Sequence, residues 1–370
     1  MNKLLFASSK ERDIFYATGM EIPDAFFYLE KDGEKYVFLD KREIGVFEKN
    51  KKDKNIKAQP LEPLIEKAKK EKSEETIVPK VAELIIEEFN LQGKINIPNY
   101  FPIEIFNYLS KKGYELKLLN PFFPQRRNKS SKEVEMIESA IRKTHNAFKK
   151  VENILKKSKI KKDKIYFQEE VLTSERLKKE VEKELIENNL IDIEGMIVSS
   201  GEQGARPHDR GSGEIKPHTS IIVDIFPKDR ESGYFADMTR TYLKGSPSSE
   251  ITDMYKAVEA VQENAIKQIA PGKKSFEVYR ECFKVFEEYG FKTEKEGFVT
   301  GLGHGLGADV HELPFVNSSS DAVLAEGDVI TVEPGLYYSK PGGIRIEDVV
   351  VVTKDSCRNL TDYPKNLVIA

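Results

Sequence analysis

Ile221-Ile-Val-Asp224-Ile-Phe226 and Tyr234-Phe-Ala-Asp237-Met-Thr-Arg240-Thr241 decide how this chain is read. Each is a β-rich run holding one carboxylate, and the second acid follows the first by thirteen residues. Gly233 and the charged Lys228-Asp-Arg-Glu231 stretch lie between them, and glycine with polar clusters punctuates strands. A hairpin here would carry both carboxylates to one face. Two acids on strands are also an ordinary solvent-facing pattern, so the decision falls to what lies downstream.

Gly301-Leu-Gly-His304-Gly-Leu-Gly-Ala-Asp-Val-His311-Glu312 is more specific. Its glycines permit unusual backbone angles and close approach of a ligand, and its two histidines are not a helical pair. A glycine-rich loop can also cradle phosphate. Against that, the Walker pattern is missing, and so are the strand and fingerprint acid of a dinucleotide fold. Val332-Glu333-Pro334-Gly335 then ends a β-rich run on an acid, and Arg345-Ile-Glu347-Asp348 places another in a strand. Read singly, each of these acids could be a structural ion-pair partner of Arg345 or Arg240.

Read jointly, Asp224, Asp237, His304, Glu333 and Glu347 form an oxygen-rich set with one nitrogen. Two carboxylates about 4 Å apart repel by about 4 kcal/mol at an effective dielectric of about 20. Two divalent cations would cancel four such charges and could hold a hydroxide between them. The set therefore predicts a two-metal hydrolase, with manganese, cobalt, zinc or iron favoured over thiolate-seeking metals.

The surroundings fit an enzyme of ordinary composition. A chain of 370 residues, 39% hydrophobic and 33% charged, suits two domains or one with a large extension. A net charge of −3 gives no strong pull toward nucleic acid or anionic membranes. Cys282 and Cys357 form no CxxC pair and read as reduced thiols. Met1 to Arg12 has too short an apolar run for a signal peptide, and no stretch approaches the roughly 20 apolar residues that span a bilayer. The expectation is a soluble cytoplasmic protein.

Residues 1–122 read as a mixed α/β domain without histidine or cysteine. Strand-like runs at 25–29 and 36–39 flank Asp32-Gly33, a hairpin signal. Val81, Leu84, Ile85 and Phe89 predict a helix over 76–92 ended by Gly93. A strand at 95–97 and a helix over 103–111 follow. Asn120-Pro-Phe-Phe-Pro124 marks a boundary, and a second domain spans 126–370. There, Ser130 and Glu133 have capping-box spacing before a helix over 132–157. Further helices are expected over 167–189, 249–269 and 275–289, with strands at 221–226, 234–242, 329–333 and 344–352. Four candidate ligands fall in these strands and His304 in a loop, so a rigid sheet should carry the site. His145 and His218 read as packing or surface histidines.

The runs VDIF…FADMTRT, GLGHGLGADVHE, TVEPGLY and GGIRIED, with Ser199-Ser-Gly-Glu-Gln-Gly-Ala-Arg-Pro-His208, resemble the creatinase/prolidase/methionine aminopeptidase family of pita-bread metallopeptidases. The resemblance covers about 126 to the C-terminus. The first domain, with Ala17-Thr-Gly19, resembles the creatinase-type N-terminal domain less specifically. Having both domains points to the Xaa-Pro aminopeptidase and Xaa-Pro dipeptidase branch. The fold implied is α/β (α+β): a C-terminal pita-bread unit whose antiparallel sheet carries the metal site, plus a smaller N-terminal α/β domain. The activity implied is dinuclear hydrolysis of an N-terminal Xaa-Pro bond. Alternatives are a metallo-aminopeptidase of other specificity such as methionine removal, a metal-free creatinase-type C–N hydrolase, and a non-catalytic binding protein on this fold.

The roles implied are these. Asp224 holds one metal, Asp237 and Glu347 bridge both, and His304 with Glu333 completes the other shell. Glu333 also moves a proton, His208 and His311 contact the scissile peptide, and Arg345 orients a ligand carboxylate. The resemblance puts manganese(II) first, with cobalt(II), zinc(II) or iron(II) also fitting, and implies a homodimer acting on peptides with proline second. Two departures bear on specificity. Thr300 stands where many proline-specific relatives carry another histidine, and Asp224-Ile-Phe-Pro227 replaces the usual Asp-Xaa-Gly.

Overall fold

The computed structural model describes residues 2–71, 77–293 and 295–370. Met1 and the predicted start of the helix over 76–92 lie outside the described residues. The chain divides into two compact units, Met1–Arg126 and Arg127–Ala370. Arg126, expected to open the second domain, closes the first unit, where its guanidinium meets Asp13 at 2.8 Å.

In the first unit β1 (Asn2–Ala7), β2 (Phe26–Lys31), β3 (Glu34–Leu39), β4 (Ile56–Pro60), β5 (Ile95–Ile97) and β6 (Leu116–Leu118) form one mixed sheet ordered β4-β3-β2-β1-β5-β6. Asp32 and Gly33 turn β2 into β3 with φ of 51° and 86°. A two-residue hairpin turn of the primed type demands positive φ at both positions, which is why Asp-Gly signals it. The helices Lys41–Asn50 and Ile103–Lys111 cross over between the parallel pairs β3/β4 and β5/β6. The helix Ile77–Glu88 buries Val81, Leu84 and Ile85.

The second unit repeats one plan twice: antiparallel strands backed by two helices. β7 (Ile197–Ser200), β8 (Ile221–Ile225) and β9 (Met238–Tyr242) form one sheet in that order. Helices Ser131–Lys157 and Ser174–Glu187 pack on it through Phe148, Val151, Leu177 and Val181. Then follow β10 (Gly303–Gly305), β11 (Glu312–Val316), β12 (Val329–Val332), β13 (Gly335–Tyr338), β14 (Gly342–Arg345), β15 (Asp348–Val352) and β16 (Cys357–Asn359). β13 and β14 pair as a hairpin, and the other five form a sheet ordered β11-β10-β12-β15-β16. Helices Ser249–Gln268 and Ser275–Glu288 back this second half through Val258, Val261, Val278 and Phe286. Every residue of β8 is buried, Asp224 among four apolar neighbours. The long helix starts at the predicted capping box: Glu133 N–H donates to Ser130 Oγ at 3.4 Å and Ser130 N–H to Glu133 Oε2 at 2.8 Å.

The two halves are stitched at the strands that bear the acids. Glu347 N–H donates to the Thr239 carbonyl at 3.1 Å, and Thr241 Oγ1 donates to the Arg345 carbonyl at 2.8 Å. A Cβ on Gly343 would sit 1.9 Å from the Gly204 carbonyl oxygen, so glycine there permits the approach of β14 to the loop after β7. Gly343→Ala is expected to cost about 1–3 kcal/mol through forced backbone displacement. A shift in the urea midpoint checks it, and an unchanged midpoint would show that the junction yields.

Four predicted elements differ from those observed. The helix over 76–92 stops at Glu88, because Asn90 (φ 47°), ahead of Gly93, turns the chain. The helix over 167–189 begins at Ser174, where Thr173 Oγ1 accepts from Arg176 N–H at 3.2 Å. Phe167 instead ends a strand, because Gln168 and Glu169 turn the chain with φ of 49° and 62°. The strand at 234–242 starts only at Met238, and the run 344–352 breaks at Ile346-Glu347. His304, expected in a loop, lies in β10. His145 is half-buried with its ring 4.9 Å from that of Tyr363, and His218 is exposed. Cys282 and Cys357 are free thiols. Among the described residues no helix is long and apolar enough to cross a membrane.

Candidate metal centre

Each of the five acid and imidazole side chains comes from a different strand or strand end. Asp224 lies in β8, Asp237 immediately before β9, His304 in β10, Glu333 immediately after β12, and Glu347 between β14 and β15. All five line one cavity of about 340 Å³, together with His208, His311 and Arg345. Every residue singled out by the sequence as a ligand, a catalytic group or an orienting group is therefore brought together in the second unit.

The packing is tight. His304 Nε2 lies 3.2 Å from Glu333 Oε1 and 3.7 Å from Asp237 Oδ2. One ligand atom from each of Asp237, His304 and Glu347 falls within a 4.8 Å cluster. His304 Nδ1 faces the Gly305 carbonyl at 3.1 Å. A neutral ring that donates there leaves the Nε2 lone pair aimed at the carboxylates, the tautomer a metal ligand needs.

Supporting bonds hold the acids in place. Arg345 Nη2 donates to Asp224 Oδ2 at 2.6 Å, Nη1 to Tyr337 Oη at 2.8 Å and to the Pro207 carbonyl at 3.1 Å, and Nε to Thr239 Oγ1 at 3.3 Å. Arg345 thus ties Asp224 to the loop that bears His208. Thr239 Oγ1 donates to Glu347 Oε2 at 2.8 Å, and Thr331 Oγ1 to Glu333 Oε1 at 3.2 Å. The sequence reading missed Thr239, Thr331 and Tyr337. The two threonines stand two residues from Asp237 and Glu333, so the period of two in a strand would have found them.

The electrostatics report a shortage of positive charge. Burial, then the charges of Asp224 and Glu333, hold the Asp237 carboxyl well above its usual range against the pull of His304. Burial and the charges of Asp237, Glu333 and Asp224 do the same to Glu347. Burial raises Asp224 despite Arg345. For His304, burial acts downward, but the hydrogen bond and charge of Glu333 and the charge of Asp237 push it up to about 9. Glu333 is raised by burial yet ends below its usual value because His304 bonds to it. Burial and the charge of His304 lower His311.

A divalent cation fits this arrangement. Asp224 Oδ1 is buried with no hydrogen-bond partner, a cost that a cation would remove. The four candidate acids and the exposed Glu194 line the cavity with the buried Arg345 and the exposed Arg210, and the candidate donors are oxygens plus one imidazole nitrogen, which suits borderline-hard metals.

The comparisons with known proteins agree with this geometry. Metallopeptidase family M24 matches residues 135–354. The Xaa-Pro dipeptidase of Pyrococcus furiosus is 34% identical over 173 residues, 46% of this chain and 48% of that protein. An uncharacterized peptidase, YqhT, of Bacillus subtilis is 30% identical over 243 residues, 65% of this chain and 64% of that one. The first of these matches spans about half the length of the relative. Among solved structures, a prolidase from Pyrococcus furiosus superposes with a TM-score of 0.79 at 22% identity, covering 98% of this chain and 97% of that one. An Xaa-Pro dipeptidase from Bacillus anthracis gives 0.81 at 23%, covering 100% and 95%. At such identities the superpositions show the fold, a mixed α/β architecture with an N-terminal domain before the pita-bread unit. Since the matched segment takes in more than half of the chain and all eight of these cavity residues, the chain belongs to metallopeptidase family M24.

Proposed function

We propose that this chain is a dinuclear metal-dependent peptidase that hydrolyses the bond between an N-terminal residue and a following proline, as an Xaa-Pro dipeptidase or aminopeptidase. The observation that carries the reading is the convergence of Asp224, Asp237, His304, Glu333 and Glu347 in one cavity with a single buried guanidinium. The names of the sequence relatives supply the proline specificity.

In this reading Asp224 would hold one ion, His304 and Glu333 would hold the other, and Asp237 and Glu347 would serve both. Bound there, the ions would supply an acidified water and polarisation of the scissile carbonyl. The remaining work belongs to the chain. Glu333, steadied by Thr331, is placed to carry a proton to the leaving amine, a contribution of about 10²–10⁴-fold. His311 has its ring 4.2 Å from that of His304 and a lowered pKa, so at neutral pH it is an uncharged N–H donor for the peptide carbonyl. His208 faces the same cavity. Arg345 fixes Asp224 through a charge-assisted bond. Manganese(II) is the first choice of metal, with cobalt(II), zinc(II) and iron(II) compatible with the same donors. The reading includes a homodimer in the cytoplasm, with residues 1–122 as a creatinase-type domain and 126–370 as the peptidase.

Purified protein supplied with manganese(II) should release the first residue of Met-Pro or Arg-Pro-Pro faster than that of Met-Ala-Ser. No release from either proline peptide would end the proline-specific reading, while preference for Met-Ala-Ser would point to methionine removal. His311→Ala should keep the metal content and lower kcat by about 10²–10³-fold. A variant that instead lost its metal would place His311 among the ligands.

A further inference from the structure

Among the described residues two permanently cationic side chains line the cavity, Arg345 and Arg210. Arg345 is buried and spends its donors on Asp224, Tyr337, Thr239 and the Pro207 carbonyl. Arg210 is exposed at the cavity and pairs with no carboxylate among the described residues.

Its surroundings hold it ready without neutralising it. The Arg210 carbonyl accepts from Val198 N–H at 3.1 Å, which ties its backbone to β7. The neighbouring Asp209 is already engaged by the Arg206 guanidinium and by Gly211 N–H at 2.9 Å. The Arg210 guanidinium carbon lies 5.6 Å from the centroid of Phe226, which also lines the cavity. On another side lies Gly195 at φ 85°, where even a Cβ would be 3.6 Å from Nη1. A guanidinium against an aromatic face and a bare backbone keeps its fork of N–H groups free for a planar, bidentate anion.

We infer that Arg210 receives the α-carboxylate of a bound dipeptide, so that the cavity selects short peptides with a free C-terminus over capped or longer ones. This rests on the peptidase reading above and deepens it by naming the substrate class. The acids that would hold cations repel a second carboxylate, whereas Arg210 offers one a partner on the cavity wall. Phe226 and Ile197 beside it give the C-terminal side chain an apolar surface.

The test compares Met-Pro with Met-Pro amide on the manganese-loaded full chain. The wild type should favour the free acid in kcat/KM. Arg210→Ala should reduce that acid-to-amide ratio by about tenfold or more, the scale of losing a charge-assisted bond, and mainly through KM. Arg210→Glu should turn the preference toward the amide. Calorimetric binding of a Met-Pro isostere with a reduced peptide bond, as acid and as amide, reads the same preference without turnover. If wild-type protein hydrolyses neither peptide, the peptidase reading falls and the isostere still decides the role of Arg210. Equal binding of both isosteres, or a ratio that both variants leave at the wild-type value, overturns the inference.

Discussion

Glu347→Ala is expected to lose both manganese and turnover, with kcat/KM falling by more than about 10²-fold, the upper cost of removing a residue that merely orients a metal ligand. Glu347 is 1% exposed and lies in the cavity beside Asp237. The competing explanation for a buried acid is a structural ion pair, and the two buried arginines near it test that directly. Arg345 pairs with Asp224 at 2.6 Å and Arg240 with Asp348 at 2.8 Å. Glu347 gives Arg240 only its backbone carbonyl, and its carboxylate accepts one hydroxyl, from Thr239. A charge so placed is a cost to the fold unless a cation meets it. The variant should therefore combine an empty centre with a metal-free form no less stable than metal-free wild type, because one repelling carboxylate is gone. Asp237→Ala should behave alike. Elemental analysis, steady-state kinetics and thermal unfolding in a chelator check the three parts. Wild-type metal content and rate in both variants would refute the ligand assignment.

Much of this centre was legible because its residues sit in runs whose chemistry is local. Four acids on or beside β-rich runs and a histidine among glycines needed only their spacing and charge balance to suggest a shared site. The misreadings came from long-range causes. The run 344–352 is mostly β-branched, yet it breaks at Ile346-Glu347, where Glu347 N–H bonds to the Thr239 carbonyl, 108 residues earlier in the chain, instead of to the β12 side. The glycines around His304 suggest a loop with unusual backbone angles open to a ligand. A Cβ on Gly303 would lie 2.0 Å from the Thr331 carbonyl and one on Gly305 2.3 Å from that of Leu313. They are strand glycines that let neighbouring backbones close in, which propensity alone does not distinguish from flexibility. The helix over 167–189 starts late because Leu172, which keeps the apolar spacing, belongs to the end of a hairpin, its N–H bonding to the Ile165 carbonyl. The local clue was Thr173 as an N-cap. Arg210 escaped notice because nothing in its spacing marks it, and its meaning comes from a cavity wall that only the folded chain assembles.

The stability gained on adding manganese(II) is expected to grow as pH rises from about 5 to about 9. The sign follows from the groups that share the cavity. Asp237 and Glu347 have folded pKa values above their unfolded ones, so without metal the folded state binds their protons more tightly. That stability is present at low pH and is lost as pH climbs past the unfolded carboxylate values. His304, raised to about 9, adds in the same direction: its contribution is complete below the ordinary imidazole value and is lost as pH rises through about 9. Glu333 is depressed and acts oppositely, losing stability only as pH falls through its folded value at the acid end. Chelated protein should therefore unfold at progressively lower temperature between mildly acid and alkaline pH. Cations compete with these same protons, so their binding strengthens over that window. Metal at about 100 times its Kd adds about 2.7 kcal/mol. In a unit of this size each kcal/mol moves Tm by about 2–4 °C, so a rise of about 5–10 °C is expected at alkaline pH and a much smaller one near pH 5. Calorimetric scans with manganese(II) and with chelator at both ends of the window measure it. An equal shift at both ends would mean that cation and protons do not contend for the same carboxylates.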